Sequence, residues 1–184
     1  MDQRQKKTRA AIYRALGECL KEKDFADLSV EDIIVKASVS RSTFYAHFKA
    51  KDDVLDSLLK NIFHHVFSHS LRQEDTHDFS QASVLDYEHL FTHTLYHLRD
   101  DKDLIKTVLG RSCRERILVE LRHEIKPLID RCVAEGIIPQ KDVPIDLRSR
   151  EATESFVTLV TYWFDCDCDV TPEECTKRFF ALNK

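Results

Sequence analysis

The chain has 184 residues, enough to bury one real core, or a small domain attached to a larger one. Charged residues make up 33% and hydrophobic residues 42%, an ordinary globular composition, and only three glycines and four prolines occur. A β-rich fold needs many tight turns built on such residues, so their scarcity excludes it in favour of long helices joined by few loops. The net charge of −4 is uneven: residues 1–60 carry 12 Lys+Arg against 10 Asp+Glu, and the remainder 16 against 22. The N-terminal third is therefore the part suited to a polyanion. No apolar run approaches the roughly 18 residues of a spanning helix. The start, MDQRQKKTRA, is polar and basic and does not read as a secretory signal. A cytoplasmic location with no membrane partner is expected, and there the six cysteines, which form no CxxC pair, are most simply reduced thiols.

In chain order, the first helix is predicted over 8–23, with Ile12, Leu16, Cys19 and Leu20 on one stripe. Phe25 and Leu28 occupy a short link. Ser29, with Asp32 three residues on, reads as the capped start of a short second helix over 30–36. The link 37–39 is tight, and Ser40 can cap a third helix over 41–48, on which Phe44 and Phe48 share a face. Asp52 and Asp53 open a fourth helix, whose wide apolar stripe runs from Val54 through Phe63, Val66 and Phe67 to about residue 68. Residues 70–80 are polar and aperiodic, a loop. A fifth helix is expected over 83–99 and a sixth over 102–109, stopped by Gly110. A seventh spans 112–135, kinked near Pro127 and ended by Gly136. A Pro-punctuated linker, 137–146, precedes an eighth over 147–165. Thr171-Pro172-Glu173-Glu174 then supplies an N-cap, a proline at N1 and Glu at N3 for a ninth helix reaching the end. The fold class is all-α, about nine helices.

A short helix, a three-residue link and another short helix suit a helix-turn-helix, whose second helix presents its N-terminal residues to the major groove. Ser42 and Thr43 are short enough to let a backbone approach base edges, and Arg41 can fork onto guanine or pair with phosphate. Tyr45, His47, Lys49 and Lys51 lie further back, where phenol, imidazole and ammonium groups suit phosphate oxygens. The same residue types also describe a capped amphipathic helix with a solvated polar face.

The stretch ASVSRSTFYAHFKAKDDVL resembles the signature of tetracycline-repressor-type (TetR family) regulators over turn, recognition helix and next helix start, and the likeness extends over residues 8 to 67. One departure is Ser38, where the family often has glycine. A non-Gly residue at positive φ is disfavoured there. The resemblance implies a helix-turn-helix DNA-binding domain, placed at 1–52, and a helical effector-binding and dimerisation domain at 53–184. It implies a homodimer formed by the last two helices, a double-stranded DNA operator as partner, and a small-molecule effector of unidentified nature. DNA contacts carried over are Ser29, Val30, Ser40, Arg41, Ser42, Thr43, Tyr45, His47, Lys49 and Lys51, with a basic arm of Lys6, Lys7 and Arg9. The pocket is expected around Tyr87, Phe91, His93, Thr94, Cys113 and Ile117, and the dimer interface around Phe156, Leu159, Val160, Trp163, Phe164 and Phe179. No cofactor, resident metal or catalytic activity is expected: no GxSxG, P-loop or Rossmann glycine pattern is present.

Two clusters stand outside that scheme. His89, His93 and His97 share one helical face, and an i, i+4 pair binds metal only with a third ligand such as Cys113 or His123. His64, His65 and His69 raise the same question. Cys166-Asp167-Cys168-Asp169 is a thiol–carboxylate loop, though its C-x-C spacing lacks the usual two-residue ligand gap. The rival functions are a helical metalloprotein or enzyme using His93 and His97, and a protein-interaction adaptor.

Overall fold

The computed structural model describes residues 3–67, 86–109 and 112–184, with the side chains of 63–67 left aside. Among the described residues it has nine α-helices and no strand. They are α1 (Gln3–Glu22), α2 (Val30–Ala37), α3 (Arg41–Tyr45), α4 (Lys51–Phe67), α5 (Tyr87–Asp100), α6 (Lys102–Leu109), α7 (Arg114–Ala134), α8 (Ile145–Asp165) and α9 (Pro172–Leu182). A single 3-10 turn, Phe25–Asp27, lies between α1 and α2. The expected loop at 70–80, the helix start at 83, the stop at Gly110, and the side chains of Phe63, His64, His65, Val66, Phe67 and His69 lie outside the described residues. Among the described residues no helix is long and apolar enough to cross a membrane.

Helix boundaries follow the local chemistry closely, with three differences. The basic arm is helical, since α1 begins at Gln3. The third helix closes at Tyr45 instead of 48, because the Asp53 carboxylate draws in the N–H groups of Lys49 (2.8 Å) and Ala50 (3.1 Å) and so turns the chain into α4. Pro127 sits within α7, which continues past it to Ala134, with Gly136 beyond the end at φ 76°.

The chain divides into two compact units: Met1–Asn61 with Asp103–Ile117, and Ile62–Lys102 with Leu118–Lys184. In the first unit Ile12, Leu16 and Leu20 of α1, Ile33 of α2, Phe44 of α3, and Val54 and Leu55 of α4 are fully enclosed. Gly17 lets α6 approach closely: a Cβ there would stand 2.9 Å from Leu104 Cδ1. Ion pairs Lys23–Asp32 and Lys36–Glu22 join α1 to α2 at the surface. Arg116, at the start of α7, pairs with Asp52 (2.7 Å) and Asp56 (2.8 Å) of α4.

The second unit packs around Phe91, Phe156 and Phe179, one ring each from α5, α8 and α9, with centroids 4.7 to 5.4 Å apart. Tilted and edge-on pairs at such distances are favoured geometries for aromatic rings. Thr92 of α5 donates to Thr176 of α9 across the same core (2.9 Å). Arg148 of α8 is wholly buried. Its guanidinium donates to the carbonyl oxygens of Pro139 (2.8 Å) and Asn183 (2.7 Å), to Asn183 Oδ1 (3.2 Å) and to Glu151 (3.1 Å). This closes the C-terminal end of the chain against the start of α8.

Candidate nucleic-acid interface

Three local devices build the surface around α3. The Ser29 hydroxyl accepts from Asp32 N–H (3.1 Å), while Asp32 accepts from Ser29 N–H (2.8 Å): a complete capping box at the start of α2. The Lys23 ammonium and these Ser29 bonds hold the Asp32 carboxyl well below the usual carboxylate range. Helix α2 ends on Ser38, which adopts the left-handed conformation (φ 52°, ψ 43°) while its N–H satisfies the last carbonyls of the helix. Ser40 then caps α3, accepting from Thr43 N–H (3.1 Å), with the hydroxyls of Ser42 (2.9 Å) and Thr43 (2.8 Å) close by.

Phe44 and Phe48 bury the rear of this segment, their rings 6.0 Å apart, and Tyr13 of α1 meets Phe48 at 5.9 Å. The front is left to solvent. Arg41, Ser42 and Tyr45 are exposed, Thr43 and His47 half-buried, and Lys49 exposed. Ser29 and Val30 stand at the neighbouring start of α2. An open groove of about 420 Å³ collects Tyr45, His47 and Lys49 with Arg9 of α1. Arg9 is held over the Phe48 ring (4.6 Å) by hydrogen bonds to Tyr13 Oη (2.8 Å) and Ser57 Oγ (2.5 Å). Eight of the ten residues expected at a duplex thus present side chains or helix ends on the α2–α3 front, or line that groove.

Two of the ten are employed otherwise. The Lys51 ammonium donates to three carbonyl oxygens, those of Phe25 (2.6 Å), Ala26 (3.0 Å) and Leu28 (2.6 Å). An ammonium has three donors, so its capacity is used inside the chain, capping the end of the 3-10 turn. In this structure the side chain is thus occupied within the chain. The Ser40 hydroxyl is likewise committed to its cap. Sequence reasoning missed Glu31: its carboxylate takes Arg41 Nε (3.0 Å) and Nη2 (2.7 Å). The signal available was an acidic residue one step inside α2, which reads as an ordinary dipole partner.

Of the six pocket residues expected, Tyr87, Phe91, His93 and Thr94 lie buried on α5 in the second unit, whereas Cys113 and Ile117 are buried in the first. Burial and the Glu135 carboxylate push the Tyr87 phenol upward. Phe91 belongs to the aromatic core, and Thr94 donates back to Leu90 O (2.9 Å). His93 and His97 do meet, Nε2 to Nε2 at 3.0 Å, both buried. Among the described residues, three ligand-type atoms converge within 4.8 Å only at Glu120, His123 and Glu124, so neither Cys113 nor His123 completes a set with that pair. His89 instead pairs with Asp86 (2.5 Å) at the start of α5.

The six residues expected at a dimer interface are 0–7% exposed within a single chain. Within the single chain that apolar face belongs to the core. The large apolar side chains left open on these helices are Ile145, Leu147, Tyr162 and Leu182. The six cysteines are thiols, none in a disulfide; burial pushes Cys132 and Cys175 to about 12. Cys166 and Cys168 are half-buried in the α8–α9 turn, where Asp167 (φ 61°) and Cys168 (φ 56°) are both left-handed and Lys102 binds Asp167.

A capped short helix, a left-handed turn, and a second short helix with an exposed polar front define the class: a helix-turn-helix transcriptional regulator. Residues 12–58 match the family described as bacterial regulatory proteins, tetR family, and residues 86–184 match one described as a transcriptional regulator C-terminal region. The chain therefore belongs to the TetR family of regulators. It is 30% identical over 81 residues, 44% of its length, to the uncharacterized HTH-type transcriptional regulator YxbF of Bacillus subtilis (strain 168). It is 44% identical over 50 residues, 27% of its length, to the HTH-type transcriptional regulator EthR of Mycolicibacterium smegmatis (strain ATCC 700084 / mc(2)155). The matched segments span 21% and 23% of those two relatives. The crystal structure of a TetR transcriptional regulator from Streptococcus agalactiae 2603V superposes with a TM-score of 0.71 at 28% identity, covering 100% of this chain and 97% of that one. The family is one of DNA-binding regulators and not of enzymes, which sets aside the enzyme alternative built on His93 and His97.

Proposed function

We propose that two copies of this chain bind a near-palindromic operator, each laying the front of α3 in a major groove, in successive grooves about 34–36 Å apart. Arg41, Ser42 and Thr43 address base edges, while Tyr45, His47, Lys49, Arg9 and the start of α2 at Ser29 and Val30 address the backbone. The single observation that carries this reading is the polarity of α3 and the turn that follows it: Phe44 is 0% exposed and Phe48 4%, so a buried core aims the polar front outward. We place the functional boundary near residue 52, with 53–184 serving dimerisation and effector binding. The homodimer forms through α8 and α9, with Tyr162 and Leu182 as its exposed apolar contacts. A small molecule acts from the second unit through the region of Tyr87, Phe91, His93 and Thr94. It lowers operator affinity by its differential binding to the two states, which makes the protein a ligand-released repressor in the bacterial cytoplasm.

Selection of duplexes from a random-core library by the full-length protein tests this. The expected result is a two-fold symmetric consensus, bound with a steep salt dependence that is weakened by Lys49→Ala and loses base preference in Arg41→Ala and Thr43→Ala. Recovery of no consensus, or identical selection by the Arg41 and Thr43 variants, would overturn it.

A further inference from the structure

The Arg41 side chain is half engaged before any duplex arrives. Its Nε and one Nη2 hydrogen both point at a single oxygen of Glu31. A guanidinium carries five N–H donors in one plane. Of the three that remain, one on Nη1 and one on Nη2 form the end-on edge, and the second Nη1 hydrogen points back toward Cδ. That edge is the fork which matches O6 and N7 of guanine in the major groove. Both partners stay open to solvent, Arg41 at 73% and Glu31 at 52%. As a surface pair the contact adds little to folding. What it does do is bias a long side chain toward one orientation and set a negative charge beside the guanidinium.

We propose that Glu31 is a positioning residue for base selection: it holds Arg41 end-on, so that the arginine reads a guanine in preference to folding sideways onto the DNA backbone. The inference rests on the reading of α3 as the recognition helix. Glu31 itself touches no base. Its carboxylate orients the guanidinium, cancels part of its charge against non-specific phosphate, and penalises sequences in which Arg41 must turn away. The second position of α2 is thereby a determinant of specificity, although negative charge there opposes overall DNA affinity.

The test compares wild type, Glu31→Gln, Arg41→Ala and the double variant, full length, on the random-core duplex library and on one fixed non-operator duplex. Glu31→Gln keeps the shape of the side chain and is expected to melt with wild type. It should bind the non-operator duplex several-fold more tightly. It should also lose roughly five- to tenfold of the preference for guanine at one position of each half-site, the lower range for one good bidentate contact. In the Arg41→Ala background the same change should leave base preference untouched. Retention of the guanine preference by Glu31→Gln, while Arg41→Ala abolishes it, would overturn the positioning role and leave the recognition helix standing. An Arg41→Ala protein that selects the wild-type consensus would overturn both.

Discussion

Arg148 offers the sharpest quantitative test of the fold. Its side chain is 1% exposed, and it serves four acceptors that come from three places in the chain: Pro139 before α8, Glu151 within it, and Asn183 after α9. Arg148→Ala strips these acceptors at once. The Pro139 carbonyl lies in an exposed linker and can be rehydrated, but Asn183 is 3% exposed and loses partners for both its backbone and side-chain oxygens. A buried acceptor without a partner costs about 1–3 kcal/mol, and two of them plus the lost packing of the stem give roughly 3–5 kcal/mol. Glu151 is the contrasting case. Its carboxylate is 57% exposed, so Glu151→Ala should cost under about 1 kcal/mol even though it breaks the salt bridge. Urea unfolding followed by far-UV circular dichroism at fixed protein concentration reads both. With a slope near 2.5 kcal/mol/M, the Arg148→Ala midpoint should fall by roughly 1–2 M, and that of Glu151→Ala by less than about 0.4 M. Arg148→Met restores most of the volume and none of the donors, so it should remain close to the alanine variant. Equal losses in Arg148→Ala and Glu151→Ala, or full rescue by methionine, would refute the view that satisfaction of Asn183 is what the buried arginine provides.

Ser38→Gly should stabilise the protein by about 0.5–1 kcal/mol, because the left-handed backbone costs an L-residue more than glycine loses in unfolded-state entropy; thermal unfolding measures it. Lys51→Ala should cost about 1–3 kcal/mol by removing its bonds to three carbonyls, of which Phe25 O keeps the Leu28 N–H, yet leave the slope of log affinity against log salt for DNA unchanged, in contrast to Lys49→Ala. The Asp32 carboxyl is held low in the folded state, so its contribution is fully present above the ordinary carboxylate value near 4 and is lost as pH falls below it. Asp32→Asn should therefore flatten the acid side of a stability-versus-pH curve below about pH 4 and lie parallel to wild type from pH 5 to 8.

Features written in neighbouring residues were legible from the sequence. Ser29 with Asp32, Ser40 before α3, and Thr171-Pro172-Glu174 all cap the helices their spacing announces, because a cap is a contact across three residues. The left-handed turn at Ser38 was visible through the resemblance, as the place where the family often has glycine. The roles of Lys51 and of the Arg148–Asn183 pair were not, since the partners that define them lie 23 to 35 residues away and nothing in the local pattern distinguishes a committed side chain from a solvated one.

The dimer face shows the limit of periodicity in a different way. Phe156, Val160, Trp163, Phe164 and Phe179 were correctly apolar, but a stripe states only that a face is covered, not by what. Within one chain these residues are already buried, Phe156 and Phe179 against Phe91 of α5. The apolar side chains left exposed on α8 and α9 are a different set, among them Tyr162 at 57% and Leu182 at 64%. The same reasoning applies at the duplex. Arg41 is proposed as a guanine reader from its type and place, whereas the carboxylate it meets, Glu31, lies on another helix. Which residue touches a partner can be read from one helix; how selectively it does so depends on the side chain of a second, and that contact exists only after folding.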